Sequence, residues 1–283
     1  MNVHEMFHVK HWSRSVAAAA MTLAALAACS SPEETAAKTG DAAAEAPAPP
    51  PSPPAPAPDK VAFEDNANKG EATRNFAYAW PAEVSALPQL AAQLTADRDK
   101  LLAEQKADWE GSLREFEGSD CVGCVNRDYA MEWQVVANLP RYLSLSGAWN
   151  AYTGGAHGNY AWRALVWDRE ADKGFAPEAM FTSPAALQGA LGDAWCTALK
   201  GARVRKGMAP EDADGIFPCP PIADLTVLVG SSDRKSFNRI GLIAAPYVAG
   251  SYAEGEYEVT LPVTPKVLAA VKPEYKAAFA LPK

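Results

Sequence analysis

Residues 75–80 open the regular patterning of the chain. Phe76, Tyr78 and Trp80 alternate with Ala77 and Ala79, the period of two that a half-buried strand shows. Pro81 ends that run, because proline cannot donate to a sheet ladder. The period then changes. Leu87, Leu90, Leu94, Leu101, Leu102, Trp109, Leu113 and Phe116 recur at three-, four- and seven-residue steps, with Asp97, Arg98, Asp99, Lys100, Glu104 and Lys106 on the other face. This stripe predicts a long amphipathic helix over residues 87–116 that packs on the chain's own sheet. Pro88 fits its first turn and Gly118 its stop.

Three strands follow in the reading. Arg127–Asn138 carries Tyr129, Met131, Trp133 and Val135 on one parity, and Tyr142–Tyr152 sets Leu143, Leu145 and Trp149 against Ser144, Ser146 and Asn150. Residues 160–167 add Trp162, Leu165 and Val166. The short gaps at 139–140 and 153–158 predict antiparallel hairpins. A second helix over residues 184–203 shows Leu187, Leu191, Trp195 and Leu199 on one side. Strands at 224–230, 239–246 and 256–262 come next, then a helical segment over 265–279. Strand runs mixed with one-sided helices predict an α+β fold, with mixed, mainly antiparallel sheets and helices packed on one side. There is no internal repeat.

The chain before residue 75 is patterned differently. Lys10, His11 and Arg14 precede an apolar run at 16–28 that ends Leu26-Ala27-Ala28-Cys29. The run suits a signal-peptide core and is short for a membrane span. Small residues before Cys29 predict a lipoprotein leader over residues 1–28, with Cys29 as the lipidated residue. Ser30, rather than Asp, follows it, the pattern that accompanies outer-membrane sorting in Gram-negative cells. The expected location is therefore the cell envelope, on the periplasmic side of the outer membrane, held by lipid alone. Of the twelve residues 47–58, eight are proline, which favours polyproline II and a reach of roughly 37 Å. Residues 29–74 read as an Ala/Pro-rich stalk whose end, 59–72, is polar and loose. Residues 75–283 read as the folded part, in one or two packed subdomains of about 75–140 and 141–283.

Charge and residue counts narrow the chemistry. The formal charge is −8, one unit more negative once Lys10, Arg14 and Glu5 leave with the leader. That excludes a nucleic-acid partner more readily than a cationic or neutral one. Of the four histidines, only His157 follows Cys29. One histidine cannot build the usual catalytic zinc site, and no G-x-S-x-G elbow is present. His157 could pair with a carboxylate such as Glu132, Asp168 or Glu170 only if geometry brings one near. Cys121, Cys124, Cys196 and Cys219 read as two disulfides in an oxidising compartment, most simply 121–124 and 196–219, with the two crossed pairings open. A strand, not a helix, is expected after Cys124, which disfavours a redox C-x-x-C. The acidic cluster Glu211, Asp212, Asp214 lacks the remaining ligands of a calcium loop. Glu254, Glu256 and Glu258 share one parity and read as a charged sheet edge. No metal and no cofactor is expected.

The candidate binding residues lie in one turn. Tyr152, Gly154, Gly155, His157, Gly158 and Asn159 form a glycine-rich connection, with Tyr160 at its rim. Glycines there signal positive φ or close approach. Tyr152-Thr153-Gly154-Gly155-Ala156-His157-Gly158 resembles the Y-x-G-G-A-H-G string of RsiV-like extracytoplasmic domains. Residues 246–250 and 256–262 are similar to their C-terminal block, and 76–90 to their opening strand and helix. The resemblance spans about 75–279. It implies an α+β recognition domain of the kind found in a lysozyme-binding anti-sigma factor, in a non-catalytic module of a peptidoglycan deacetylase and in envelope lipoproteins. No second catalytic domain is expected beside it, so the deacetylase activity is not expected to be inherited. Neither the sensor's cytoplasmic anti-sigma segment nor its transmembrane helix is expected here, so signalling across the membrane by regulated proteolysis is not expected. The expected function is thus non-enzymatic: binding peptidoglycan, or a cationic peptidoglycan-cleaving protein such as lysozyme. A structural or assembly role with a protein partner is the alternative.

Overall fold

The computed structural model describes residues 59–211 and 215–283. The leader, Cys29, the proline stalk, Asp212 and Asp214 lie outside the described residues. Ten strands and five helices alternate along them. β1 (Val61–Glu64), β2 (Ala67–Lys69) and β3 (Ala72–Trp80) lead to the short α1 (Ala82–Ser85) and the long α2 (Pro88–Glu115). The one-turn α3 (Val122–Val125) precedes β4 (Arg127–Asn138), β5 (Tyr142–Tyr152), β6 (Asn159–Asp168) and β7 (Lys173–Phe175). Then come α4 (Pro184–Arg205), β8 (Thr226–Gly230), β9 (Arg239–Ala244), β10 (Tyr257–Pro262) and α5 (Pro265–Ala270).

Two sheets result. The larger runs β1-β3-β4-β5-β6-β7, with β2 also paired to β3; the smaller runs β10-β9-β8. Every pairing is antiparallel except β3 with β4, which are parallel. Parallel neighbours need a long crossover, and α2 supplies it. Leu90 and Leu94 of α2 are buried against Phe76, Tyr78, Met131, Trp133, Leu145 and Trp167, each such side chain contributing about 1.5–3 kcal/mol. A polar chain fixes the same contact: Trp133 Nε1–H donates to Tyr78 Oη at 2.8 Å, and Tyr78 donates to Asp97 Oδ2 of α2 at 2.8 Å.

The second core lies between α4, α5 and the small sheet, where Leu187, Leu191, Trp195 and Leu199 meet Val227, Ile240, Leu242 and Val259. β8 touches β4, β5 and β6 on the face of the large sheet that α2 leaves free. Short side chains on that face, Ser144, Ser146 and Ala164, admit the close approach. Each sheet thus carries its helices on one side, the α+β arrangement expected. A register shift between Val135 and Ala137 in β4 is a bulge that turns Ala137 into the second core, whereas Val135 packs in the first.

Three expectations need correction. Residues 59–72 are not all loose: β1 and β2 lie in them, and β1 pairs with β3 from Val61↔Trp80 to Glu64↔Ala77. Among the described residues, strand pairing therefore begins at Val61 and not at Asn75. A division near residue 140 would cut the large sheet between β4 and β5, which pair along nearly their whole length. The last helix is also broken. α5 ends at Ala270, and a 3-10 turn at Pro273–Ala278 replaces its continuation, because Pro273 disfavours helical backbone at Lys272.

Candidate functional site

The turn that joins β5 to β6 rests on the Cys121–Cys124 turn. Cys121 and Cys124 form one disulfide, and Cys196 and Cys219 form the other, as an oxidising compartment allows. Arg127, buried beneath, ion-pairs with Asp108 and donates from Nη1 to Cys124 O at 2.9 Å and Asn126 O at 3.0 Å. Tyr152 Oη lies 2.8 Å from Gly155 O and 3.0 Å from Gly123 O, so one hydroxyl is shared between the two turns. Gly154 has φ +97°, left-handed backbone that a side chain would strain, and it faces the carbonyls of Gly123 and Cys124. A Cβ on Gly158 would fall 2.8 Å from Ala151 O. Tyr152, Gly154, Gly155 and Gly158 therefore build the turn, and they carry His157 outward.

His157 is exposed and stacks on Tyr252, ring centroids 3.9 Å apart and planes 22° apart. Its Nδ1 lies 2.9 Å from Gly158 O, and its Nε2 3.3 Å from Tyr247 Oη. A carbonyl can only accept, so Nδ1 carries a proton, and in the neutral ring Nε2 accepts from the Tyr247 hydroxyl. Tyr247 is half exposed at 53% and has φ +70°. A bulky residue in left-handed backbone costs about 1–3 kcal/mol. Tyr247 N–H donating to Gly250 O at 3.0 Å holds it there.

Tyr252 continues the aromatic wall to Tyr160, 6.2 Å away and edge-on, and Tyr160 meets Trp162 at 5.6 Å. Tyr160 Oη donates to Glu256 at 2.9 Å; burial, then this hydrogen bond, pushes its pKa up to about 12. Lys206, just past α4, donates to the carbonyls of Glu254 and Glu256 and lies 4.5 Å from the Tyr257 ring. Glu254 caps the turn Tyr252–Glu254 through Ser251 and accepts from Tyr257. Glu254 and Glu256 are thus committed acceptors under the aromatic wall, not free charges on a sheet edge.

Below this wall the large sheet is open. A shallow cleft of about 560 Å³ is lined by β3, β4, β5 and β6, with Tyr252 overhanging it. Strand register decides its floor. Ala77 lies beside Ala130, Ala130 beside Asn150, and Asn150 beside Tyr160. One step along, Asn75 lies beside Asp128, and Asn75 Nδ2 donates to Asp128 Oδ1 at 2.6 Å. Asn150 is exposed, and its side-chain amide has no partner among the described residues; Asn159 lies beside Ala151, in line with Tyr129 and Phe76, and so belongs to the opposite face. Small alanines, the free amide of Asn150, one carboxylate and a tyrosine rim make a surface that can both stack and hydrogen-bond.

None of the three candidate carboxylates reaches His157. Glu132 pairs with Lys60 at 3.6 Å, and Glu170 with Arg141 at 2.9 Å. Asp168 is held by Arg141 at 2.7 Å at the other end of β6, nine residues or roughly 30 Å from Asn159. Residue spacing did not single out Tyr247, Tyr252, Asn75, Asp128 or Asn150, although Tyr247 lies in the string 246–250 noted above.

No family model and no curated protein matches the chain. Among solved structures, it is similar to a DUF3298 family protein from Pseudomonas aeruginosa PAO1. The two are 16% identical with a TM-score of 0.51, over 78% of this chain and 95% of that one. A DUF3298 family member from Bacteroides fragilis NCTC 9343 gives 17% identity and a TM-score of 0.49, over 72% of this chain and 89% of that one. The likeness to the Pseudomonas protein shows a shared fold.

Proposed function

We propose that the chain is a non-catalytic, RsiV-like recognition module of the bacterial cell envelope that binds the glycan of peptidoglycan. Lipid on Cys29 and the proline stalk would hold it at the outer membrane. The observation that carries the reading is the cleft on β3–β6. The C–H faces of a pyranose are weakly positive and suit the negative ring face of Tyr252 at the cleft, while its hydroxyl and acetamido groups suit Asn150 and Asp128. His157 supports binding better than catalysis, since its two ring nitrogens are met by a carbonyl and a phenol, with no carboxylate to orient it. Two disulfides fit an extracytoplasmic domain. No helix among the described residues is long and apolar enough to cross a membrane.

The test is binding to purified sacculi and to soluble muropeptides, followed by the signals of His157 and Tyr252. Saturable binding that perturbs those signals supports the reading. Absence of binding at millimolar muropeptide overturns it. A cationic peptidoglycan-cleaving protein such as lysozyme is the second reading, favoured by the formal charge of −8. Lysozyme binding without glycan binding would establish it instead.

A further inference from the structure

A second hollow, of about 770 Å³, lies at the opposite end of the large sheet. It is lined by the end of β4 and the turn after it, by Arg169 just past β6, by Ser231 and Arg234 after β8, and by Glu83 of α1. Arg169 is fixed without a counterion. Its Nη1 donates to Leu139 O at 2.5 Å and Pro140 O at 3.5 Å, and its Nη2 donates to Asn138 Oδ1 at 2.7 Å. The adjacent acids are spent elsewhere, since Asp168 and Glu170 both pair with Arg141. With no anion to offset it, burial pushes the Arg169 pKa down. A guanidinium has five N–H donors, so Nε–H and one Nη2–H remain on a single edge, the fork that grips a carboxylate.

A second cation is held beside it. Arg234 is exposed, and its φ is +59°. Its N–H donates to Ser231 Oγ at 2.9 Å, and Asp233 accepts from the N–H groups of Lys235 and Ser236 at 2.8 and 3.1 Å. The Arg234 side chain has no partner among the described residues. Against these stands Glu83. Arg169 and Arg234 less Glu83 leave one net positive charge in the hollow, which matches a monoanion better than a phosphate dianion.

We infer that this hollow binds a single carboxylate, gripped by the free edge of Arg169 and by Arg234. That the carboxylate belongs to peptidoglycan, on its muramyl ether or stem peptide, rests on the function proposed above. The site itself does not.

The experiment titrates the lipid-free full chain, labelled at arginine, with N-acetylmuramic acid, with N-acetylglucosamine and with inorganic phosphate. N-acetylmuramic acid is expected to shift the Nε–H signals of Arg169 and Arg234 saturably, and N-acetylglucosamine, which lacks the carboxylate, to leave them unmoved. Arg234→Gln, an exposed change, should weaken binding about tenfold. Arg169→Lys, which keeps the charge and loses the fork, should weaken it at least as much; if that variant fails to fold, Arg234→Gln carries the test alone. Three outcomes would overturn the assignment: no shift at either arginine, unchanged affinity in Arg234→Gln, or phosphate binding more tightly than N-acetylmuramic acid. Signals of His157 and Tyr252, in the distant cleft, report glycan binding separately, so failure at one end is distinguishable from failure at the other.

Discussion

The two disulfides close loops of very different length, which separates what each does. Cys196–Cys219 spans 23 residues and ties α4 to the segment before β8; Cys121–Cys124 spans three. If a cross-link acts by restricting the unfolded chain, the longer loop is worth about 3.4 kcal/mol and the shorter about 1.6 kcal/mol. For a domain of this size each kcal/mol moves the midpoint by about 2–4 °C. Replacing Cys196 and Cys219 by serine should then lower Tm by about 7–14 °C, and replacing Cys121 and Cys124 by about 3–6 °C.

Ligand binding should rank the two variants the other way. The Cys121–Cys124 turn supplies Gly123 O to Tyr152 and seats Gly154, so freeing it loosens the support under His157. Loss of one such hydrogen bond, near 1 kcal/mol, corresponds to about fivefold weaker glycan binding. The Cys196–Cys219 link is not in contact with the glycine-rich turn, and its removal should leave affinity unchanged below the unfolding transition. Thermal unfolding monitored by circular dichroism and muropeptide titration at 25 °C measure the two rankings. Equal Tm losses, or a larger loss for the short loop, would refute the chain-entropy argument. Full affinity in the Cys121→Ser, Cys124→Ser variant would refute the buttressing role of the turn.

Three further outcomes follow from single side chains. Tyr252→Ala removes the ring stacked on His157 and should weaken glycan binding by about 0.5–1.5 kcal/mol while leaving Tm within a few degrees, with Tyr252→Phe close to wild type in titration. Gly158→Ala forces a Cβ against Ala151 O and should destabilise the β5–β6 hairpin by about 1–3 kcal/mol, read from urea unfolding; a neutral result would show that the backbone there yields freely. Asp233 is held at a pKa of about 2, below its usual 3.8, by the N–H groups of Lys235 and then Ser236. A depressed carboxylate contributes fully above its unfolded value and loses that contribution as pH falls through its folded one. The amide signals of Lys235 and Ser236 should therefore titrate near pH 2, and Asp233→Asn should abolish that step; a midpoint near 4 would show the loop is not capped this way.

How far the fold could be read from the chain depended on whether an element's signal was local. The helix over 87–116, the hairpin strands β4 and β5, and α4 each carry their periodicity within their own length, and the structure places them within a residue or two of the reading. β1, β2 and β7 are three or four residues long. At that length alternation cannot be told from chance, and pairing with β3 or β6 is what makes them strands. The parallel match of β3 with β4 also has no local mark. It depends on α2 returning the chain to the edge of β3, and nothing in either strand alone specifies its neighbour.

The same limit explains the site. In the string from Tyr152 to Asn159, glycine, tyrosine and histidine form one candidate surface, because spacing cannot separate residues that shape a turn from residues the turn presents. The geometry does separate them: Gly154 and Gly158 are dictated by φ and by the approach of Ala151 O, whereas His157 and Asn159 face outward. The partners of His157 come from 90 residues away, since Tyr247 and Tyr252 belong to the connection between β9 and β10. Asn75 and Asp128 are 53 residues apart and meet only through the β3–β4 register. The proposed recognition surface is a property of register, and a one-residue slip of β4 against β3 would turn Asp128 toward α2 and dismantle it. The cleft is therefore as well specified as the core on the reverse of the same strands, where Phe76, Tyr78, Met131 and Trp133 are buried: the residues that lock the register lie on one face, and those that use it lie on the other.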